Sequence, residues 1–146
     1  MTHDCYSTKR VTVWPQSREA DPTTGLTQDG YSIKYQDGYT SWCPAEVFER
    51  DYQPITAMSF GHAIHALKAG KRVCRAGWNG KGVFLFLVPG SVFKVNRPPL
   101  LGIYEEGTEI NYHAHIDMKT ADDKVVPWLA SQTDMLADDW LILGEV

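Results

Sequence analysis

The chain has 146 residues, 43% of them hydrophobic and 22% charged, with a formal net charge of −4. That length bounds it to one ordinary domain, or one small domain with an appended module, and the composition is that of a soluble globular protein. The acidic balance, with no block of like charges, argues against duplex nucleic acid or an anionic membrane as the main partner, because both require a basic footprint.

The first third reads as a small β module. Val11 to Trp14 predicts a strand stopped by Pro15, followed by a polar loop through Gly25. "GYSIKYQDGYTSW" gives two alternating runs around Asp37-Gly38, a pair that favours a two-residue hairpin turn with positive φ at both positions. "CPAEVFERDYQP" predicts a short amphipathic helix with Pro44 at its first position, Cys43 as the cap before it and Pro54 beyond its end. No chemical motif stands out before residue 55, and the stretch 1–54 reads as a stabilising or oligomerising module.

Residues 55–146 read differently. Ser59 is a plausible N-cap; Phe60, Ile64 and Leu67 follow at helical spacing, and Gly70 suits a left-handed C-cap. His62 stands where a capping box carries Glu. Strand-like "RVCRAGW", the turn "NGKG" and "VFLFLVPG" come next, the last without polar alternation and so expected to be buried on both faces. Ser91 to Glu109 is loop-like, broken by Pro98-Pro99, Gly102 and Gly107, and Glu109 to Met118 alternates as one strand. "TADD" is a turn, "KVVPW" a short strand, "SQTDMLADD" one or two capped helical turns, and "WLILGEV" a last strand. The expected class is α+β: a compact antiparallel sheet with one main helix and a short C-terminal helix, preceded by the hairpin and short-helix module.

Several residues invite a chemical reading. His113, His115 and Asp117 would share one face of a strand, and His62 and His65 one face of a helix; together they suggest a metal site. Against it, Met118 follows Asp117 where such hydrolases usually add another ligand, and His3 is the only other histidine. A half-exposed strand face near a pocket rim or subunit contact is the better reading, with no metal and no catalytic residue expected. Cys74, beside Val73, reads as a small buried residue, and Asp138 and Asp139 as solvated or capping groups. Three cysteines without Cys-x-x-Cys spacing make disulfides and structural zinc unlikely. With no leader pattern, and with Val83 to Pro89 the longest apolar run, a cytosolic protein is expected. "GWNGKG", Gly77 to Gly82, is the less ordinary stretch: its glycines allow close backbone approach, Lys81 adds charge, Asn79 an amide and Trp78 a stacking plate, yet its glycine spacing is not that of a P-loop and, taken alone, a tight turn between strands is the better reading.

"MSFGHAIHALKAGKRVCRAGWNGKGVFLFLVPG" together with "HIDMKTADDKVVPWLASQTDMLADDWLIL" resembles a small phage family, the Thoeris anti-defence proteins of the second type. The likeness spans Met58 to Leu143 apart from the middle loop, with "GWNGKG" and "PWLASQTDMLADDW" its most characteristic blocks. The hairpin module resembles an extension found in phage-encoded proteins.

The resemblance implies a sponge acting in the host bacterial cytoplasm. Such proteins bind cyclic ADP-ribose isomers made by bacterial TIR-domain immune enzymes and hold them uncleaved, and some also bind cyclic oligonucleotides in a separate pocket. They form compact α+β protomers that assemble into homotetramers with ligand pockets between protomers, and no cofactor is implied. For such a ligand, Trp78 and Trp128 are the candidates to stack on a base. Asn79, Ser131, Gln132, Thr133 and Asp134 are candidates for ribose or base edges, and Arg75, Gly80, Lys81 and Gly82 for phosphate. The helix start at Ser131 is expected to add N–H groups and a positive dipole end; the alternative for Trp128 and Ser131 is core and cap. His62, the turn Asp122-Asp123 in place of Asp-Gly, and the long loop 91–112 depart from the family pattern.

Overall fold

The computed structural model describes residues 4, 7–78 and 82–144. Two compact units divide the chain, Met1–Pro54 and Ile55–Val146.

In the first unit, strands β1 (Thr12–Pro15), β4 (Gly30–Lys34) and β5 (Thr40–Pro44) form an antiparallel sheet in the order β1-β4-β5. Strands β2 (Arg18–Asp21) and β3 (Leu26–Gln28) pair as a hairpin, with β2 inside the stretch expected to be a polar loop and β3 just beyond it. No apolar alternation announces them. Neighbouring tertiary contacts instead anchor the hairpin base: the Arg18 guanidinium lies 5.1 Å over the Trp42 ring, Trp42 Nε1 donates to the Gln16 carbonyl at 2.6 Å, and Ser32 Oγ donates to Gln16 Oε1.

Two local expectations are corrected here. Between β4 and β5 the Tyr35 N–H donates to the Tyr39 carbonyl and the Gly38 N–H to that of Tyr35, with Gly38 at φ +88°. This is a three-residue loop needing a single left-handed residue rather than the expected two. Helix α1 (Ala45–Asp51) starts one residue later than expected, with Pro44 rather than Cys43 at the N-cap. No side chain caps it; the Asp29 carbonyl accepts from the Ala45 N–H at 3.0 Å and satisfies one of the orphan donors. Phe48 lies against Tyr31 and stacks on Tyr52 one turn away, with ring centroids 4.4 and 4.5 Å apart. Gly30 is required by contact: a Cβ there would run into the Trp42 ring and the Cys43 carbonyl.

The second unit lays helix α2 (Phe60–Lys68) on one face of a five-stranded antiparallel sheet. The sheet comprises β6 (Val73–Arg75), β7 (Phe84–Val88), β10 (His115–Lys119), β11 (Val125–Pro127) and β12 (Trp140–Ile142), in the order β11-β10-β7-β6-β12. The fold is α+β. Ala63, Ala66 and Leu67 of α2 meet Val73, Leu85, Trp140 and Ile142 in the core. Ser59 is the N-cap, but its hydroxyl bonds His62 Nδ1 at 2.9 Å rather than a backbone N–H, so His62 takes a local role unlike that of a capping-box Glu. At the other end, Gly70 adopts φ +78°; its N–H donates to the Leu67 carbonyl and that of Lys71 to the Ala66 carbonyl, the paired bonds of a Schellman stop.

Ser91 to Glu109 is not wholly loop. β8 (Ser91–Lys94) pairs with β9 (Glu109–Tyr112) as a two-stranded ribbon. The single strand expected over 109–118 is two strands, parted at His113-Ala114. Val88 faces His115 and Ser91 faces Tyr112, so pairing resumes in the same register beyond the break. Pro89 has no N–H to give the ladder. A Cβ on Gly90 would lie 2.9 Å from the Tyr112 carbonyl, so the facing backbone leaves no room there for a side chain.

In the β10–β11 turn, Asp123 takes the left-handed conformation, φ 60°, that glycine usually supplies. Thr120 Oγ1 donates to Asp122 Oδ1 at 2.6 Å, and Asp122 pairs with Lys124 at 2.7 Å. Asp tolerates this conformation better than branched residues do. Asp123→Val is therefore expected to lower unfolding free energy by about 1–2 kcal/mol, while Asp123→Gly keeps it within about 0.5 kcal/mol, since relief of strain is offset by added unfolded-state freedom. Urea denaturation of the two variants checks this; equal stability would refute it.

Candidate functional site

The residues singled out in the second unit gather around one buried ring. Trp140 is 0% exposed. Trp78 stands edge-on to it at 5.5 Å, Trp128 edge-on at 6.1 Å, and Phe60 tilts against it at 5.5 Å. Trp78 and Trp128 are half-buried and pack against the core cluster. Each indole thus has a packing role on one side and retains exposed surface.

Behind the rings lies an ion-pair frame. Arg75 Nε donates to Asp139 Oδ1 at 2.8 Å and Nη1 to Asp134 Oδ1 at 2.9 Å. Asp139 Oδ2 also accepts from the Gly77 N–H at 3.1 Å, which holds the start of the glycine-rich loop to β12. The hydrogen bond from the Arg75 guanidinium, outweighing burial and aided by the Gly77 N–H, holds the Asp139 carboxyl below its usual range. At Asp134 burial pushes upward, but bonds from Ser131 and Arg75 outweigh it and the carboxyl also sits low. Asp139 and then Asp134 push the guanidinium higher still. The frame combines one cation with two anions, a balance of −1. Arg75, read from sequence as facing phosphate, is already neutralised inside the fold and braces the site.

Helix α3 (Gln132–Met135) follows, capped by Ser131, whose side chain accepts from the Asp134 N–H while Asp134 accepts in return from the Ser131 N–H. This capping box uses both Ser131 and Asp134. Four residues are too few for the macrodipole expected of a helix start. Gln132 and Thr133 are exposed; Arg75 Nη1 reaches the Thr133 carbonyl at 3.4 Å, and Trp140 Nε1 donates to that of Asp134 at 3.0 Å. Asn79, Gly80 and Lys81 lie outside the described residues. Gly82 ends the loop at φ +71°, with Lys119 Nζ 3.4 Å from where its Cβ would stand.

The histidines do not converge. α2 covers the core face of the sheet, whereas His115 and Asp117 alternate with core residues Ile116 and Met118 and so lie on the opposite face. His113 falls in the break before β10, His65 is exposed, and His115 Nδ1 bonds the His113 carbonyl at 3.1 Å. Among the described residues no three His, Cys, Asp or Glu side chains are grouped to hold a metal ion. Cys74 is half-buried, and burial, with Asp139 adding to it, pushes its thiol up, away from the reactive thiolate. A cavity of about 370 Å³ in the first unit, lined by Asp29, Tyr31 and Glu49 among others, has its carboxylates bonded to Ser17 and Tyr31. Among the described residues no helix is long and apolar enough to cross a membrane.

Sequence reasoning read Asp139 as a solvated or capping group; the structure instead has its carboxylate accepting from Arg75 and from the Gly77 N–H. Its one local signal was adjacency to Trp140, the register partner of Arg75.

Ile55–Val146 therefore defines a class: an α+β domain with one main helix on an antiparallel sheet and a cluster of aromatic rings set beside an ion-pair frame. A family model for the Thoeris anti-defense 2-like domain matches residues 58–143, and the chain belongs to that family. Thoeris anti-defense 2 of Bacillus phage SP01 is 44% identical over 89 residues, which are 61% of this chain and 98% of that relative. The relative thus corresponds to the second unit and has little room for a counterpart of the first.

Proposed function

We propose that the chain is a phage anti-defence sponge that binds a cyclic nucleotide immune signal, of the glycocyclic ADP-ribose type or a related cyclic nucleotide, and holds it uncleaved in the host cytoplasm. The observation that carries this reading is Trp78, a half-buried indole propped edge-on by Trp140 at the start of a glycine-rich loop. Family membership supports it further. A base would stack on Trp78, with Trp128 as the second plate. Gln132, Thr133 and Asn79 would meet ribose or base edges, and Gly80, Lys81 and Gly82 the phosphates, while Arg75, Ser131 and Asp134 brace that surface.

Sequestration must outcompete the signal's effector, which calls for a Kd of roughly 10 nM, about −11 kcal/mol. At about −0.3 kcal/mol per heavy atom, a dinucleotide-sized ligand reaches that when mostly enclosed. A 16.4 kDa protomer offers little depth, so the reading includes a pocket completed between copies in a homo-oligomer, a tetramer by analogy with the family.

The test is retention. The protein is incubated with a cyclic ADP-ribose isomer, cleared of free ligand and heat-denatured, and the released material is analysed. Intact nucleotide is expected; linear products would sink the reading in favour of a hydrolase, and no retention of any cyclic nucleotide would favour a protein-binding module. Trp78→Ala is expected to weaken binding by about 1–3 kcal/mol, with folding checked by circular dichroism and Trp78→Phe retaining most of the affinity.

A further inference from the structure

The matched domain begins at residue 58, and the SP01 relative is almost entirely that domain, so the first unit is an addition to it. This unit carries eight acidic and five basic side chains. Two of the basic ones are engaged locally, Arg18 over the Trp42 ring and Arg50 with Asp51 at 2.8 Å. A third, Lys9, reaches an aromatic face. Its Nζ lies 5.6 Å from the centroid of the Tyr35 ring, within the range where the negative face of a π-system attracts a cation.

Tyr35 and Tyr39 stand on either side of the Asp37-Gly38 turn, with ring centroids 5.8 Å apart and planes inclined by 31°. The turn holds them together: the Tyr35 N–H donates to the Tyr39 carbonyl at 2.9 Å, and the Tyr39 N–H to Asp37 Oδ1 at 3.0 Å. The Tyr35 phenol oxygen is anchored by the Ser41 hydroxyl at 3.5 Å and by that of Tyr52. Tyr35 is thus a fixed, half-buried plate, while Tyr39 is 65% exposed and adds a second wall without serving the core. Lys9 is itself exposed, on a stretch outside helix and sheet before β1. A cation held over an exposed ring is weakly bound and exchanges readily.

We propose that Tyr35 and Tyr39 form a docking site for a lysine side chain on a basic segment of a partner protein, and that Lys9 fills the place until that segment displaces it. The group already seated on the ring is a lysine ammonium carried by an irregular stretch of chain, which is the chemistry and the presentation such a partner would offer. The excess of carboxylates in this unit attracts a basic segment and repels an acidic one. A further contact lies along β4, where the cleft of about 370 Å³ holds Asp29 and Glu49 and has no basic side chain among its described lining residues. Neutral hydroxyls orient both carboxylates there, Ser17 on Asp29 at 2.7 Å and Tyr31 on Glu49 at 3.1 Å, so their charge stays available to a neighbouring basic residue of the partner. The proposal concerns the first unit and does not depend on the sponge reading.

The full chain is titrated into a fluorescein-labelled oligolysine peptide at low ionic strength, and binding is read by fluorescence anisotropy. Saturable binding is expected, with none for an oligoglutamate peptide of the same length. Tyr39→Ala is expected to weaken oligolysine binding roughly 2- to 5-fold, and Tyr39→Phe to leave it unchanged, since the ring rather than the hydroxyl meets the cation. Tyr39→Leu serves if circular dichroism shows Tyr39→Ala to be unfolded. Lys9→Gln is expected to tighten binding by more than Lys34→Gln, which removes the same charge from the alternate face of β4. No binding of oligolysine, unchanged affinity in folded Tyr39→Ala or Tyr39→Leu, or a gain from Lys9→Gln no larger than that from Lys34→Gln would each overturn the proposal.

Discussion

Trp140→Ala is expected to destabilise the second unit by about 3–5 kcal/mol, a large share of the roughly 5–15 kcal/mol that holds a typical domain folded. The ring is fully buried and touches Phe60, Trp78 and Trp128, so its removal opens a cavity bordered by three aromatics. It also removes the indole N–H bond to the Asp134 carbonyl, which the Ala137 N–H at 3.4 Å continues to serve. Trp140→Phe keeps most of the apolar contact and loses the N–H, for an expected loss nearer 1–2 kcal/mol. Urea unfolding monitored by far-UV circular dichroism separates the two. A Trp140→Ala variant within about 1 kcal/mol of wild type would contradict the central place given to this ring.

Arg75→Met is expected to lower stability by about 2–3 kcal/mol at neutral pH. Breaking a fully buried pair costs about 3–5 kcal/mol, and the figure is reduced here because the Asp139 side chain is 36% exposed. The pH dependence provides the sharper check. Asp139 and Asp134 have depressed folded-state values. Their contribution is therefore complete above the ordinary Asp value of about 3.9 and is lost as pH falls through the folded values. Removing the cation abolishes that advantage, and protonation then relieves the stranded carboxylates. The gap between variant and wild type should shrink as pH drops below about 4; a gap constant from neutral pH into acid would refute the ion-pair account.

Local chemistry was legible wherever a residue type has one dominant use. Gly70 stops α2 because glycine alone enters the left-handed region cheaply, and Ser131 with Asp134 caps α3 because that spacing lets each side chain reach the other's N–H. Periodicity likewise disclosed α2 and most strands of the second unit, though not β8 or the break between β9 and β10. Where local signal was weak, the reading failed. The β2–β3 hairpin has no apolar alternation, and tertiary contacts from Arg18 and Gln16 to neighbouring residues anchor its base. The break at His113-Ala114 arises from Pro89 and Gly90 on the facing strand, twenty or more residues away in sequence.

The candidate site divides the same way. Trp78 and the glycine-rich stretch stood out by residue type, but taken alone they read as a tight turn between strands, and only the family resemblance pointed to a ligand. Arg75 could not be assigned in this way: a guanidinium in a sequence reads equally as a phosphate ligand or an internal brace. The fold decides between them by bringing Asp134 and Asp139 within 2.9 Å. The sequence alone thus determined the α+β class and the family likeness, because these rest on spacing and residue type. Only the tertiary structure decided that Arg75 is tied to Asp134 and Asp139 and that His115 and Asp117 lie on the sheet face opposite α2, because each depends on which distant segments the sheet sets side by side.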